Sequence, residues 1–242
     1  MQFLTFDIET VPLPWESFSE SQQDYLIRGA KTEEEIQKKK DEMGLSPMTA
    51  QVVCIGLMLC TMNEDGSFNE EKIESFAVDN SITEKTMNEV VLSTQEKCYL
   101  CSEAHLLEIF WKILKKYDPI HLISFNGRNF DAPFLMLRSS LLRIKPSKNL
   151  MAGTKFSYAQ HTDLIDELTF YSGSAYGATR RFNFDFFARA YGIHSPKSEG
   201  IDGSKVPEFF HNGKILEIAE YCLRDVKATW ELFKVWNEYL RF

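Results

Sequence analysis

The chain has 242 residues, 44% of them apolar, and a formal net charge of −8. This length fits one large globular domain or two small ones, and the acidic balance argues against a protein that grips nucleic acid over its whole surface. The sequence has no apolar run near the ~20 residues of a membrane span and no secretory signal, so we expect a cytoplasmic protein without membrane association.

The first predicted element is a strand over residues 2–9, where aromatic and aliphatic side chains dominate. Side chains in a strand alternate between faces, so Asp7 and Glu9 of the sequence FDIET point the same way. Two such carboxylates repel each other and are costly to bury. Either they lie at a solvated strand end near Pro12 and Pro14, or they hold divalent cations, and hard oxygen ligands suit Mg²⁺ or Mn²⁺.

Strands and helices alternate along the rest of the chain. Residues 15–44 are polar and charged and predict a helical insertion on the surface. A buried strand is predicted over residues 51–61 and a further strand over 72–78, with turn residues between them that favour a hairpin. Periodicity and end signals then predict a helix over 104–117, a strand over 121–125, a helix over 131–142, a short strand within 161–168, and helices over 184–191 and 215–240. This order predicts an α/β fold with one mixed sheet.

Two further acidic signals lie in the predicted helices. Asp131 follows the sequence NGRNF at the start of a helix, where an aspartate has a sufficient structural reason as a cap. Tyr221 and Asp225 are four residues apart, so they share one face at the edge of the apolar stripe of the last helix. Taken alone, these two would be a boundary tyrosine and a solvated aspartate.

Taken in order, the D-x-E of the first strand, the N-G-x-x-F-D ending at Asp131 and the Y-x-x-x-D of the last helix resemble the DEDD superfamily of 3′→5′ exonucleases, tyrosine subtype. The residue five before Asp225 is Glu220, so the histidine subtype does not match. Nearly the whole chain is similar to predicted exonucleases related to the proofreading domain of B-family DNA polymerases, through SPMTAQVVCIG (46–56), SPK (195–197), IDGSKV (201–206) and YCLRDV (221–226).

The resemblance implies a ribonuclease H-like fold, with a five-stranded mixed sheet flanked by helices. We expect a single exonuclease domain over residues 1–242, with the surface insertion at about 15–44 lying outside the core pattern. No polymerase domain fits in the chain, so any role in proofreading or repair would need a partner.

The resemblance also implies two divalent cations, Mg²⁺ or Mn²⁺, held by four carboxylates. Asp7 would bridge both ions, Glu9 and Asp225 would complete the site of the ion that activates water, and Asp131 would support the second. Tyr221 would orient the attacking water. The implied activity is a freestanding 3′→5′ exonuclease that releases nucleoside 5′-monophosphates from single-stranded DNA ends. The alternatives are an exoribonuclease or oligoribonuclease with the same mechanism, or a nucleic-acid-binding module without catalysis.

Candidates for holding the substrate are less sharply defined. The backbone near Thr10, together with Asn126 and Phe130, is predicted to hold the terminal nucleotide. Residues 171–184 mix aromatics and glycines with Arg180 and Arg181, a composition that suits a single strand but also suits a surface loop.

Cysteines and one His-Asp pair give weaker signals. The five cysteines are expected to be buried free thiols, and the C-x-x-C pair Cys98 and Cys101 has no second pair to complete a zinc site. His161 and Asp163 are expected to be a core histidine and a strand-end aspartate in preference to a metal pair.

Overall fold

The computed structural model describes residues 1–194 and 202–241, and its centre is a mixed sheet of seven strands. In chain order the strands are β1 (Gln2–Pro12), β2 (Ala50–Met62), β3 (Phe68–Val78), β4 (Asn88–Val91), β5 (Lys97–Cys101), β6 (His121–Ser124) and β7 (His161–Asp163). They lie side by side in the order β4-β5-β3-β2-β1-β6-β7.

The predicted α/β fold with a mixed sheet is confirmed, and the predicted hairpin is the antiparallel pair β2 and β3. Strand β1 pairs antiparallel with β2 and parallel with β6, which pairs parallel with β7. The predicted count of five strands is too low, because β4 and β5 extend the sheet beyond β3. Both strands are short, and β4 is the mostly exposed edge strand while β5 lies between β4 and β3, so neither carries a strong hydrophobic pattern.

The helices are α1 (Glu20–Leu26), α2 (Glu33–Glu42), α3 (Glu103–Lys116), α4 (Asp131–Leu141), α5 (Leu164–Leu168), α6 (Phe184–Ala190), α7 (Val206–His211) and α8 (Ile215–Tyr239). Helices α1 and α2 lie within residues 15–44 and contain no buried residue. Each begins with a capping box, Ser19 with Gln22 and Thr32 with Glu35, which explains how exposed polar sequences start helices here. No helix within the described ranges is long and apolar enough to cross a membrane.

The two faces of the sheet have different covers. Leu4, Phe6 and Ile8 of β1 pack with α3 and α4, whereas Phe3 packs with α8. Because side chains alternate along β1, Asp7 and Glu9 lie on the same face as Phe3, toward α8. Gly56 of β2, the strand partner of Asp7, lets α8 come close, since a Cβ there would lie 3.0 Å from Cys222 Sγ.

Candidate active site

Strand β1 supplies the first two carboxylates. Glu9 is 7% exposed and Asp7 is half-buried, so the alternative of a fully solvated strand end does not hold. The β1–β2 register shifts between Glu9 and Thr10, which marks a bulge beside the pair. Within the described part of the chain no ion pair reaches either carboxylate.

Helix α8 brings Tyr221 and Asp225 against the same face. Tyr221 is 5% exposed, and its pKa lies well above the ordinary value, first because of burial and then because of the charge of Asp225. Tyr221 also hydrogen-bonds Asp225, so the phenol stays protonated and acts as a donor. The two residues lie one helical turn apart, as their spacing predicts. The negative charge of Asp225 also raises the pKa values of Asp7 and Glu9.

Asp131 joins the site from the other neighbour of β1. Strand β6 pairs with β1 from Phe3 to Thr5, and beyond this point none of the described strands lies along this edge of β1. The Ile8 N–H donates instead to Asp131 Oδ1 at 3.0 Å. The N-cap position of α4 is Phe130, so the carboxylate of Asp131 bonds to the sheet where a cap was the simpler expectation.

The turn between β6 and α4 is held in place by a buried aspartate. Asp163 is fully buried and accepts hydrogen bonds from the N–H groups of Asn126 (2.7 Å) and Arg128 (2.8 Å). Gly127 is required between them, because a Cβ there would lie 2.3 Å from Ser124 Oγ. Asp163 is therefore a positioning residue for the turn that delivers Asp131, a role that sequence reasoning missed. Its only sequence signal is its place at the end of a strand.

The His161 side chain is also used within the fold. His161 Nε2 lies 2.7 Å from Ser124 Oγ, and burial lowers the pKa of the imidazole to about 3. A neutral core histidine, as expected from the sequence, fits this setting.

The carboxylates lie close to one another, and Glu9 and Asp131 among them are buried. Burial raises the pKa of Asp7 well above its usual value, and the charges of Asp131, Asp225 and Glu9 raise it further. The pKa of Glu9 is raised for the same reasons, and burial raises that of Asp131 to about 7. Hard oxygen donors lacking a protein cation suit a divalent ion, which would keep them ionised. The residues present therefore fit the cations that the resemblance implies.

The thiol of Cys222 lies beside the carboxylate cluster. Cys222 Sγ lies 3.5 Å from the Asp7 carbonyl oxygen and 3.7 Å from Asp7 Oδ2. One ligand atom each from Asp7, Glu9 and Cys222 can lie within 4.8 Å of one another. Burial raises the pKa of Cys222 well above its ordinary value, so the metal-free thiol is a neutral donor. All five cysteines are buried free thiols as predicted, although the contact of Cys222 with Asp7 was not foreseen.

The predicted substrate-binding residues divide into two groups. Arg181 donates to Asn126 Oδ1 at 3.4 Å, so these two come together at the turn that precedes α4. Phe130 packs on Phe134, with ring centroids 5.5 Å apart. Thr10 Oγ1 donates to the Gly44 carbonyl at 2.8 Å, and Arg180 stacks on Phe182, so neither side chain joins the Asn126 pair.

Comparison with known proteins places the chain in a family. Residues 70–239 match the family described as predicted 3′-5′ exonucleases related to the exonuclease domain of PolB. The matched span includes Asp131, Tyr221 and Asp225 and begins after β1, which carries Asp7 and Glu9.

Relatives and a solved structure agree with this match. The chain is 29% identical over 149 residues to DNA polymerase 1 of Pyrococcus abyssi, covering 55% of this chain and 18% of the polymerase. It is 28% identical over 152 residues to an uncharacterized protein of Methanocaldococcus jannaschii, covering 55% of this chain and 74% of that protein. Its fold is similar to part of the family B DNA polymerase from Pyrobaculum calidifontis, with a TM-score of 0.53, 18% identity, and coverage of 98% and 24% of the two chains. Since the family match spans well over half of the chain, the protein belongs to the predicted 3′-5′ exonucleases related to the exonuclease domain of PolB.

Proposed function

We propose that the protein is a metal-dependent 3′→5′ exonuclease that releases nucleoside 5′-monophosphates from single-stranded DNA ends. The observation that carries the proposal is the cluster of half-buried Asp7 with buried Glu9 and Asp131, which has raised pKa values and no ion-pair partner within the described residues. A fold gains nothing in stability from such a cluster, whereas phosphodiester hydrolysis uses it.

The four carboxylates Asp7, Glu9, Asp131 and Asp225 would hold two divalent cations, Mg²⁺ or Mn²⁺. When bound, such ions stabilise the charge that develops on the attacking and leaving oxygens and help to ionise water. Tyr221 supplies a neutral hydroxyl donor beside Asp225 and would orient the attacking water. Asn126 and Arg181, which contact each other, would hold the terminal nucleotide, with Phe130 on the adjacent turn.

The same chemistry on RNA is the second candidate within this class. A protein contact with the 2′-hydroxyl would distinguish RNA from DNA, and none of the residues named above is assigned to such a contact. Because the family is related to exonuclease domains of DNA polymerases, we place DNA first. A polymerase or repair protein would be the corresponding partner.

The test is digestion of 5′-labelled single-stranded DNA and of matched RNA in Mg²⁺, Mn²⁺ or EDTA. The expected result is a metal-dependent ladder that shortens from the 3′ end and is lost in Asp7→Asn. Glu64→Gln, at an exposed turn residue, is the matched control and should cut as the wild type does. A protein that binds both nucleic acids in EDTA and cuts neither would instead be a catalytically silent binding module.

A further inference from the structure

A pocket of about 360 Å³ lies beside the turn that carries Asp131 into the site. Its lining includes Arg128, Asn129, Lys155, Tyr158, Asp166 and Arg181. Asn129 is two positions before Asp131, so their Cα atoms are at most about 7 Å apart. The pocket therefore begins within reach of a strand whose 3′ end lies at the carboxylates.

The pocket carries more positive than negative charge. Arg181 forms an ion pair with Asp166, with 3.2 Å between a guanidinium nitrogen and Asp166 Oδ1. Asp166 Oδ2 also accepts a hydrogen bond from the Tyr158 hydroxyl at 3.0 Å. Neither Arg128 nor Lys155 has an acidic partner within the part of the chain that the structure describes. In a protein of net charge −8, two cations without carboxylate partners lining one pocket indicate an anionic ligand.

The geometry of the pocket is set before any ligand arrives. The Arg128 guanidinium lies 3.9 Å from the centre of the Tyr158 ring and donates to the carbonyl oxygens of Leu150 (3.2 Å) and Ala152 (2.9 Å). Gly153 has φ +93°, and a Cβ there would lie 2.6 Å from the Ser157 carbonyl oxygen. The loop thus holds a cation in one place, which lowers the entropic cost of binding.

An exposed aromatic residue lies next to Lys155. Phe156 is 66% exposed, and Lys155 Nζ lies 5.7 Å from the centre of its ring. Cations beside exposed aromatic faces are the combination that holds single strands without sequence preference, through phosphate contacts and base stacking. A free phosphate would have no use for the aromatic ring.

We infer that this pocket binds a phosphodiester of the single strand upstream of the 3′ end. Arg128 and Lys155 contact that phosphate, and Phe156 stacks on an adjacent base. The direction of the bound strand rests on the proposed function. The loop that contains Lys155 and Phe156 would bind the strand, and the sequence alone did not indicate this loop.

The test measures binding of fluorescein-labelled oligothymidylate of about eight nucleotides, and of the dinucleotide, to Asp7→Asn protein at several salt concentrations. Adding Lys155→Glu should weaken octamer binding by about tenfold or more and reduce the salt slope by about one. Dinucleotide binding should stay unchanged. The matched control is Lys115→Glu, the same charge change at an exposed position on α3, which should leave the salt slope as it was. Both lysines are exposed, and melting curves check that both variants fold.

Three results would overturn the inferred binding of the strand at this pocket. Equal losses for Lys155→Glu and Lys115→Glu would reduce the effect to net charge, and an equal loss for dinucleotide and octamer would place Lys155 at the terminal nucleotide. Competition by inorganic phosphate or thymidine monophosphate as effective as by the octamer would make this a free-anion site, which also contradicts the inference. Digestion by the wild-type protein is assayed in parallel. If the wild-type protein cuts no substrate but Lys155→Glu weakens octamer binding as expected, the proposed function is wrong and the inferred binding at the pocket holds.

Discussion

Glu103 and Glu9 are two largely buried glutamates whose surroundings are opposite in character. Between α3, α4 and β2, the Glu103 side chain is 11% exposed and accepts two hydrogen bonds of 2.8 Å from Arg138 and one from the Val52 N–H. Between β1 and α8, Glu9 is 7% exposed and lies among other carboxylates, without an ion-pair partner in the described residues. The first glutamate is satisfied by the protein alone.

This difference separates the structural carboxylate of Glu103 from those that we propose to be functional better than burial does. A bidentate arginine compensates the desolvation of Glu103 and ties three elements together. The carboxylates around Glu9 raise one another's pKa values, and we propose that divalent cations compensate their charge. Removing a negative charge should therefore have opposite effects on stability in the two regions.

The largest expected effect is on catalysis. Asp7→Asn removes the charge at the centre of the cluster while keeping its shape, and we expect the rate of DNA cleavage to fall by at least about a thousandfold, or about 4 kcal/mol of activation free energy. Single-turnover digestion in Mg²⁺ measures this. Metal-free Asp7→Asn should melt no lower than the wild type, and a large drop in its melting temperature would mean that Asp7 has a structural role.

Glu103→Gln tests the satisfied region. The substitution leaves the buried Arg138 guanidinium without its counter-charge, so we expect the free energy of unfolding to fall by about 3 kcal/mol. Urea titration at constant pH measures it. Glu103→Leu combined with Arg138→Met should regain most of the loss, because neither charge then remains buried. A single variant as stable as the wild type would show that the pair is not a structural contact.

Tyr221→Phe should have a smaller effect than the loss of a carboxylate. The ring and its packing stay, but the hydroxyl that hydrogen-bonds Asp225 is lost, so we expect cleavage to slow by about tenfold with little change in cation affinity. Single-turnover rates and a Mn²⁺ titration of the two proteins separate these quantities. A variant that loses cation binding would make Tyr221 a support of the metal site.

Much of the fold was predictable, because its central elements have strong local patterns. The apolar runs of β1 and β2, and the apolar residues at helical spacing in α3 and α8, predict these elements without knowledge of the segments that pack on them. Strand β5 was missed because KCYLC is short and becomes a strand through its parallel pairing with β3. Pairing between distant segments has no signature in periodicity.

The candidate site divides in the same way. The residue types and spacings of Asp7 with Glu9 and of Tyr221 with Asp225 are local, so the sequence could propose them as pairs. The bond from Ile8 to Asp131 joins residues 123 apart, and that from Asn126 to Asp163 joins residues 37 apart. Such contacts depend on which strand ends where in the sheet. For that reason the local sequence around Asp131 indicates only a helix cap, and no local signal predicts the positioning role of Asp163.

The smallest expected effect is on the pH dependence of stability, and it tests the crowding directly. Burial raises the pKa of Asp131 to about 7, whereas an aspartate in the unfolded chain has a pKa of about 3.9. The unfolded chain releases this proton first as the pH rises, so the contribution to stability is complete below about pH 4 and is lost as the pH passes through about 7.

In EDTA, the free energy of unfolding of the wild type should therefore fall between pH 5.5 and 8 by at least about 1 kcal/mol more than that of Asp131→Asn. The asparagine keeps an oxygen that accepts from the Ile8 N–H, so the comparison isolates the charge. Mg²⁺ at pH 8 should raise the free energy of unfolding of the wild type more than that of Asp131→Asn, because the cation binds the ionised carboxylates of the folded state. Parallel pH curves for the two proteins would mean that Asp131 is satisfied like Glu103, and the contrast between the two regions would then be lost at this residue.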